Sequence, residues 1–184
     1  MRLSLNHDQY PELHLRPLQQ ADAPALHGAV TLPRIGRMLH GFPAGWTLQQ
    51  ARSLIARLAS RVDWPCFALD AGDGRFLGLV GLSERDPEQL TFFLVPEAEG
   101  QGLMRVALAG FVTHVFAQTE LPAIRAEVYH DNAASMALLL GLGFVETGQR
   151  EGNCSPLRCG AERLYQLCLP RGQAPQHPSP DRPC

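Results

Sequence analysis

The stretch Val95-Pro-Glu-Ala-Glu-Gly-Gln-Gly-Leu-Met-Arg105 places two glycines, one residue apart, between an apolar strand and an amphipathic helix. The strand is predicted over residues 89–95, and the helix begins at Leu103. Because glycine has no Cβ, the backbone at Gly100 and Gly102 can approach an anion closely. The amide groups and the dipole of the helix start favour negative charge at the same place. The stretch therefore predicts a phosphate-binding turn.

A second motif follows about thirty residues later, in Val128-Tyr-His-Asp-Asn-Ala-Ala-Ser-Met-Ala-Leu-Leu-Leu-Gly-Leu-Gly-Phe144. It combines a strand end, Asn132 at a helix start, Ser135 one turn inside that helix, and a Gly-Phe exit. Together the two motifs resemble the GNAT superfamily of acetyl-CoA-dependent N-acetyltransferases. Within it they resemble the branch that acetylates N-terminal amines of ribosomal proteins, with its small-molecule-modifying relatives. The resemblance runs from Leu13 to about Leu169 and implies an α/β fold, with a mixed, largely antiparallel, twisted sheet of about seven strands and helices on both faces.

Length and charge restrict the function classes. A chain of 184 residues with 45% hydrophobic residues suits one domain, which we expect over residues 1–169. The net charge of −2 gives no basic footprint for nucleic acid, and no apolar run reaches the length of a membrane span. We therefore expect a cytoplasmic protein that binds neither nucleic acid nor membrane. The resemblance implies acetyl-CoA and an amine acceptor as partners, and a homodimer is possible because relatives are often dimers.

The cysteines and the C-terminal segment predict no further chemistry. Five cysteines, an odd number, do not form a disulfide framework, and we expect reduced thiols. The spacing of Cys154 and Cys159, without a neighbouring histidine, favours a loop pair over a metal site, so we predict no metal. Residues 170–184 are rich in proline and poor in apolar side chains, which predicts a disordered tail.

Apolar periodicity and capping signals predict the remaining elements. Asp22 is a candidate cap for a first helix that ends before Pro33, and residues 33–46 read as an aromatic, Gly/Pro-punctuated loop. Thr47 begins a capping box, and the helix that it opens ends near Ser60. The expected strands cover 13–18, 66–69, 76–82, 123–129, 144–149 and 163–169, and a helix covers 132–140.

The resemblance assigns the acetyl donor to the phosphate-binding turn and its two neighbours. The pyrophosphate is expected over the backbone amides of Gly100, Gln101, Gly102, Leu103 and Met104. The thioester oxygen is expected to meet a backbone amide of the preceding strand, at Leu94 or Val95. Asn132 would bind the pantetheine arm, and the Ser135 hydroxyl would protonate the leaving thiolate. From the residues alone, Asn132 is equally a helix cap and Ser135 a solvated residue of the first turn.

The general base and the acceptor pocket are less constrained. Many relatives carry glutamate where this chain has Gln89, which cannot accept a proton. By the resemblance, Glu151 lies near where the branch sometimes holds a base, and a water relay from an already neutral amine is an equal alternative. Phe42 and Trp46 lie in the loop that, by the resemblance, walls the acceptor pocket, so we predict that these two side chains and Gln89 contact the substrate.

Two residues of the turn also depart from the family pattern. Relatives usually have arginine, glutamine or an aromatic residue in place of Glu99, and a small residue in place of Met104. A carboxylate roughly 8 Å from a phosphate costs about 2 kcal/mol at an effective dielectric constant near 20. The leading hypothesis is an N-acetyltransferase that works by direct attack of a primary amine on acetyl-CoA. The alternative is a catalytically degenerate GNAT-fold protein that binds an acyl-CoA or a protein partner without turnover, which Gln89, Glu99 and Met104 favour.

Overall fold

Two antiparallel sheets form the frame of the molecule. The computed structural model describes residues 2–40, 42–60, 65–152 and 155–173. Within these ranges the strands are β1 (Leu3–Ser4), β2 (His14–Pro17), β3 (Cys66–Asp70), β4 (Phe76–Leu82), β5 (Leu90–Leu94), β6 (Ala123–Tyr129), β7 (Val145–Gly152) and β8 (Glu162–Pro170). The helices are α1 (Ala23–Thr31), α2 (Pro33–Gly36), α3 (Leu48–Ala59), α4 (Leu103–Gln118) and α5 (Ala133–Leu140).

The point where the two sheets meet determines the position of the functional site. The first sheet has the strand order β1-β2-β3-β4-β5, and the second has the order β6-β8-β7. A parallel bridge between Gln89 and Arg125 joins them, and the Arg125 amide donates a hydrogen bond of 2.7 Å to the Glu88 carbonyl. Beyond this bridge, β5 and β6 share no ladder in the part of the chain that the structure describes. The two strands therefore diverge and leave an opening between them.

Helices cover both faces of the first sheet, as predicted. The Phe67 ring of β3 packs against Phe111 of α4, with 6.1 Å between the ring centroids. Arg16 of β2 pairs in register with Ala68, the neighbour of Phe67, so it points to the opposite face. On that face Arg16 donates a hydrogen bond to Asp22, which directly precedes α1, and α1 packs on α3. The predicted α/β architecture is confirmed, with eight strands in the described residues instead of about seven.

Helix capping follows the sequence at one helix and departs from it at another. Thr47 and Gln50 form the predicted capping box at the start of α3, and Ser60 ends the helix. Asp22 lies at the start of α1, but the prediction that it caps the helix is wrong, because its carboxylate makes no hydrogen bond to the first turn. It is buried and accepts hydrogen bonds from Arg16 instead. A charged partner that is also buried binds the carboxylate more strongly than a helix amide does.

Three features of the fold depart from the sequence predictions. Part of the predicted loop over 33–46 is the helix α2, which begins at Pro33 because proline is tolerated in a first helical turn. The two-residue strand β1 is too short to show an apolar periodicity in the sequence, so it was not predicted. The predicted tail starts too early, because Pro170 ends β8 and Arg171 donates a hydrogen bond of 2.9 Å to the Leu121 carbonyl. The rest of that tail, 174–184, and Cys154 lie outside the described residues. Among the helices described, none has the length and apolar character needed to cross a membrane.

A buried charge network connects the first sheet to α1. Arg16 donates to Asp22 at 2.8 and 2.9 Å and to Asp70 at 2.6 Å, and all three residues are buried. Burial alone would raise the pKa of the Asp70 carboxyl. The hydrogen bonds from Arg16 and from the amides of Gly72 and Gly74 outweigh that effect and lower its pKa. The network stabilises the fold only while every charge keeps its partner.

We predict that Arg16→Met lowers the free energy of unfolding by about 3–5 kcal/mol, because it leaves two buried carboxylates without their cation. Arg75→Met is the matched control, since Arg75 pairs with Asp73 on the surface and should change stability by less than about 1 kcal/mol. Urea denaturation of both variants measures the difference. Equal losses in the two variants would contradict the assignment.

The same network predicts a pH dependence of stability. Since the pKa of Asp70 is lower in the folded than in the unfolded chain, its contribution is present above the unfolded value, about 3.9. The contribution is lost as the pH falls through the folded-state value. In Asp70→Asn this acid-dependent part of the stability should be missing, which urea titrations between pH 2 and pH 6 would measure. An unchanged pH slope in the variant would assign acid unfolding to other groups.

Candidate active site

A cavity of about 920 Å³ occupies the opening between β5 and β6. Side chains of α3, α5, both diverging strands and the segment after α2 line it. The volume lies within the range of ligand sites for small molecules and cofactors. It therefore has room for an extended ligand that enters between the two sheets.

The glycine turn borders this cavity and carries unused hydrogen-bond donors. Gly100 and Gly102 have positive φ angles of 74° and 75°, which glycine adopts without strain. Gly102 is the N-cap of α4 and provides no side-chain cap. In the described chain, the amide groups of residues 100–104 donate no hydrogen bond. Several free amides at a helix start form a concave anion site, and this fits the pyrophosphate of an acyl-CoA.

The strand before the turn offers one of the two predicted thioester contacts. The Val95 amide donates a hydrogen bond of 2.9 Å to the Leu77 carbonyl of the neighbouring chain segment. Since backbone groups alternate between the two sides of a strand, the Leu94 amide points away from β4, into the opening. The prediction for the Val95 amide is therefore wrong, and Leu94, which lines the cavity, keeps its free donor.

Asn132 and Ser135 lie together at the start of α5, and both line the cavity. The Asn132 side-chain oxygen accepts a hydrogen bond of 3.2 Å from the Ser135 amide, so Asn132 is a helix cap. Its side-chain nitrogen and the Ser135 hydroxyl make no hydrogen bond within the described residues. The cap thus orients both polar groups toward the cavity while leaving them available to a ligand.

The other predicted residues of the turn have mixed surroundings. Leu103 is buried in the core, and Met104 is buried but lines the cavity. The Gln101 side chain accepts a hydrogen bond from the Tyr10 hydroxyl, and its carbonyl accepts one of 2.9 Å from His7 Nε2. Gln101 and Leu103 therefore have only their amides to offer to an anion. The N-terminal segment therefore contacts the glycine turn through His7 and Tyr10.

Glu99 does not bring an isolated negative charge to the turn. Its carboxylate accepts a hydrogen bond of 3.1 Å from Arg34, and both side chains are about half exposed. Arg34 therefore offsets the negative charge of Glu99, which from the sequence alone is expected to repel a phosphate. Glu99 is therefore weaker evidence for a degenerate protein than its sequence context indicated.

The structure contradicts Glu151 as the general base. Glu151 is exposed on β7 and does not line the cavity. Its neighbour Arg150 points into the molecule and bonds Glu127, so the alternation of the strand turns Glu151 to the other face of the sheet. No proton acceptor for the cavity is available from this position.

Among the titratable cavity residues that sequence reasoning missed, Glu127 of β6 and His40 of the segment after α2 lie close together. Arg150 holds the Glu127 carboxylate with two hydrogen bonds of 2.6 Å, which lower its pKa. His40 Nδ1 lies 3.8 Å from Glu127 Oε2. Burial lowers the pKa of the His40 imidazole, although the neighbouring carboxylate raises it. His40 is therefore neutral near pH 7.

The loop between β7 and β8 holds the segment that carries His40. Ser155 Oγ donates a hydrogen bond of 2.9 Å to the Gly36 carbonyl, and Arg158 Nε donates one of 2.8 Å to the Arg37 carbonyl. The Arg158 guanidinium also lies 3.8 Å above the centre of the Tyr129 ring. We call these contacts of Ser155 and Arg158 the latch. It fixes the segment after α2 against β6.

The predicted acceptor-pocket residues all line the cavity. The rings of Phe42 and Trp46 meet edge to face, with 5.0 Å between centroids, and Gln89 lies where the opening begins. Cys66 also lines the cavity, but burial raises the pKa of its thiol to about 12. A thiol with that pKa stays protonated and is a poor nucleophile.

Comparison with known proteins agrees with this geometry. The GNAT acetyltransferase domain model matches residues 12–145. The fold is similar to spermidine N-acetyltransferase from Vibrio cholerae, solved with CoA and spermine (TM-score 0.75, 18% identity, 88% of this chain and 97% of the other). It is also similar to RimJ from Mycobacterium smegmatis, solved with CoA-disulfide (TM-score 0.75, 21% identity, 96% and 88%). The ribosomal-protein-S5-alanine acetyltransferase from Vibrio fischeri has a TM-score of 0.72 at 19% identity, over 94% and 99% of the chains.

A search of curated protein sequences gives no match. The solved structures show that the fold is shared, and the family model covers most of the chain. The resemblance inferred from the two motifs is thereby confirmed, as are an N-acetyltransferase activity and acetyl-CoA as co-substrate. The chain belongs to the GNAT family of acetyltransferases.

Proposed function

We propose that the protein transfers the acetyl group of acetyl-CoA to the single primary amine of an otherwise apolar acceptor, by direct attack of the amine on the thioester. The observation that carries the proposal is the set of free amides at residues 100–104, beside a cavity that the diverging strands leave open. The amides would hold the pyrophosphate, and the Leu94 amide would polarise the thioester carbonyl. The cavity beyond them would receive the acceptor.

Direct attack is favoured because the cavity offers no activated thiol. Cys66 is protonated at neutral pH, and the other cysteines that the structure describes, Cys159 and Cys168, do not line the cavity. A covalent acetyl-enzyme would need a thiolate or another activated nucleophile. The amine itself is then the nucleophile, and Ser135 is the proposed acid for the leaving thiolate.

Charge pairing in the cavity favours an acceptor with one ammonium group. In the described chain, each carboxylate that lines the cavity is paired with an arginine: Glu84 with Arg57, Glu99 with Arg34, and Glu127 with Arg150. A polyamine needs several carboxylates, and binding one would break these pairs. The aromatic pair of Phe42 and Trp46 instead suits an apolar body next to the amine. The amino terminus of a peptide and an aryl-alkyl amine both fit this description.

We predict that acetyl-CoA raises the melting temperature and binds with a measurable heat in calorimetry. Gly100→Ala should weaken binding at least tenfold, because a Cβ at positive φ distorts the amide site. Gly160→Ala is the matched control: Gly160 also has a positive φ, and a Cβ there meets open space, but it lies outside the cavity. Both variants should lose similar stability, and the control should keep its affinity. If the wild type shows neither heat nor thermal shift, the protein does not use acetyl-CoA.

A panel of amines tests the acceptor class. Release of CoA thiol is measured with phenethylamine, with a peptide that begins with alanine, and with spermidine. The catalytic efficiency should be at least tenfold higher for one of the first two than for spermidine, because the additional ammonium groups of spermidine meet only carboxylates that arginines already bind. A preference for spermidine would contradict the single-ammonium proposal while leaving acetyl transfer intact. Binding of acetyl-CoA without turnover of any amine would instead support the degenerate alternative.

Ser135→Ala should lower kcat at least tenfold and leave the Michaelis constants nearly unchanged, because the hydroxyl acts chiefly as the thiolate forms. Ser53→Ala is the control, since Ser53 lines the cavity from α3 and not from α5. Steady-state kinetics with the best amine of the panel measure both variants. A kcat within about twofold of the wild type would remove Ser135 from the mechanism.

A further inference from the structure

We infer that His40 accepts the proton of the acceptor ammonium, and that Glu127 is the anion that holds first the ammonium and then the imidazolium. The inference rests on the proposed function. It assigns the base that neither Gln89 nor Glu151 provides. Both residues line the cavity, and they reach it from separate elements, Glu127 from β6 and His40 from the segment after α2.

The geometry leaves a place for one nitrogen between the two side chains. His40 Nδ1 and Glu127 Oε2 are 3.8 Å apart, too far for a direct hydrogen bond. An ammonium nitrogen about 2.8 Å from each atom fits that separation and can donate one hydrogen bond to each. The other ring nitrogen, Nε2, is buried and has no hydrogen-bond partner among the described residues. Nδ1 is therefore the nitrogen that a ligand in the cavity can reach.

The surrounding charges suit a base that works near neutral pH. Glu127 favours protonation of His40, while Arg150 of β7 and Arg158 of the latch oppose it, together with burial. The Tyr129 ring, which meets the His40 ring edge to face at 5.3 Å, completes the surroundings. The net effect lowers the pKa of His40. Glu127 is bound by Arg150 and remains ionised, so it is a poor base but a good anion for a cation.

The proton balance closes with these groups. One N–H bond of the ammonium breaks as His40 Nδ1 takes the proton, and the freed lone pair attacks the thioester carbon. When the C–S bond breaks, the Ser135 hydroxyl gives its proton to the thiolate sulfur and receives the second proton of the amine nitrogen. The products are the amide, CoA thiol and an imidazolium that Glu127 stabilises. His40 then releases its proton to water, which restores the neutral base.

Replacing the proton acceptor tests the assignment. His40→Gln keeps a polar side chain of similar size and should lower kcat with phenethylamine at pH 7 at least hundredfold. The thermal shift with acetyl-CoA should stay unchanged, which shows that the variant is folded and binds the donor. His114→Gln is the matched control: burial also lowers the pKa of His114, but this residue lies on α4 against Phe67, outside the cavity. The control should keep wild-type kinetics.

The pH profile of the wild type gives a second readout that needs no variant. The efficiency should fall on the acid side as His40 becomes protonated, with the same apparent pKa, below about 6.5, for phenethylamine and for the alanine peptide. The basic limb should follow each amine, whose own pKa is about 10 in one case and about 8 in the other. His40→Gln should lose the acid limb, and His114→Gln should keep it. Glu127→Gln should raise the Michaelis constant for the amine more than it lowers kcat.

Two results would overturn the inference. One is a His40→Gln variant that binds acetyl-CoA and keeps kcat within about threefold of the wild type. The other is a wild-type efficiency that only rises through the pKa of each amine, because the enzyme would then bind an already neutral amine. Both results require measurable acetyl transfer, so they leave the proposed function standing. Absence of transfer to every amine of the panel would instead contradict the proposed function itself.

Discussion

The unpaired backbone between β5 and β6 is the constraint on which the site depends. After the bridge between Gln89 and Arg125, each strand keeps amide and carbonyl groups that no neighbouring strand satisfies. Such groups need partners, either water or a ligand. A pantetheine arm carries amides that can pair with them, so a sheet that is open at this point is prepared for an acyl-CoA. The glycine turn continues the same arrangement, because its free amides follow soon after β5, and Gly100 and Met104 line the same cavity.

The cavity combines this open backbone with charges that are almost entirely paired. Arg34, Arg57 and Arg150 each hold one lining carboxylate, so the walls carry little net charge. His40 differs from these charged groups, because burial keeps it neutral beside a carboxylate that Arg150 binds. A neutral imidazole next to a fixed carboxylate attracts one cation and can remove a proton from it. In the proposed mechanism, this charge pattern selects an acceptor with a single amine and also removes a proton from that amine.

Local chemistry made the donor side of the site predictable from sequence. Glycines at positive φ and a capping asparagine act within a few residues, so Gly100, Gly102 and Asn132 could be assigned before the fold was known. The acceptor side depends on long-range contacts. His40 lies in an irregular segment without periodicity, and it meets Glu127 only because residues more than a hundred positions apart bind each other through Ser155 and Arg158. Glu151 is indicated by the resemblance alone, and the alternation of β7 turns its side chain away from the face on which Arg150 binds Glu127.

The latch also determines how this protein can diversify. It attaches the segment after α2 to the loop between β7 and β8 through two side chains and not through a strand of either sheet. The donor side, in contrast, is part of the sheet framework and of the first turn of α4. The segment after α2, with Phe42 and Trp46, can therefore be exchanged in evolution or by protein engineering while the residues that bind the cofactor stay unchanged. The inserted segment must keep backbone carbonyls that accept hydrogen bonds from the same serine and arginine.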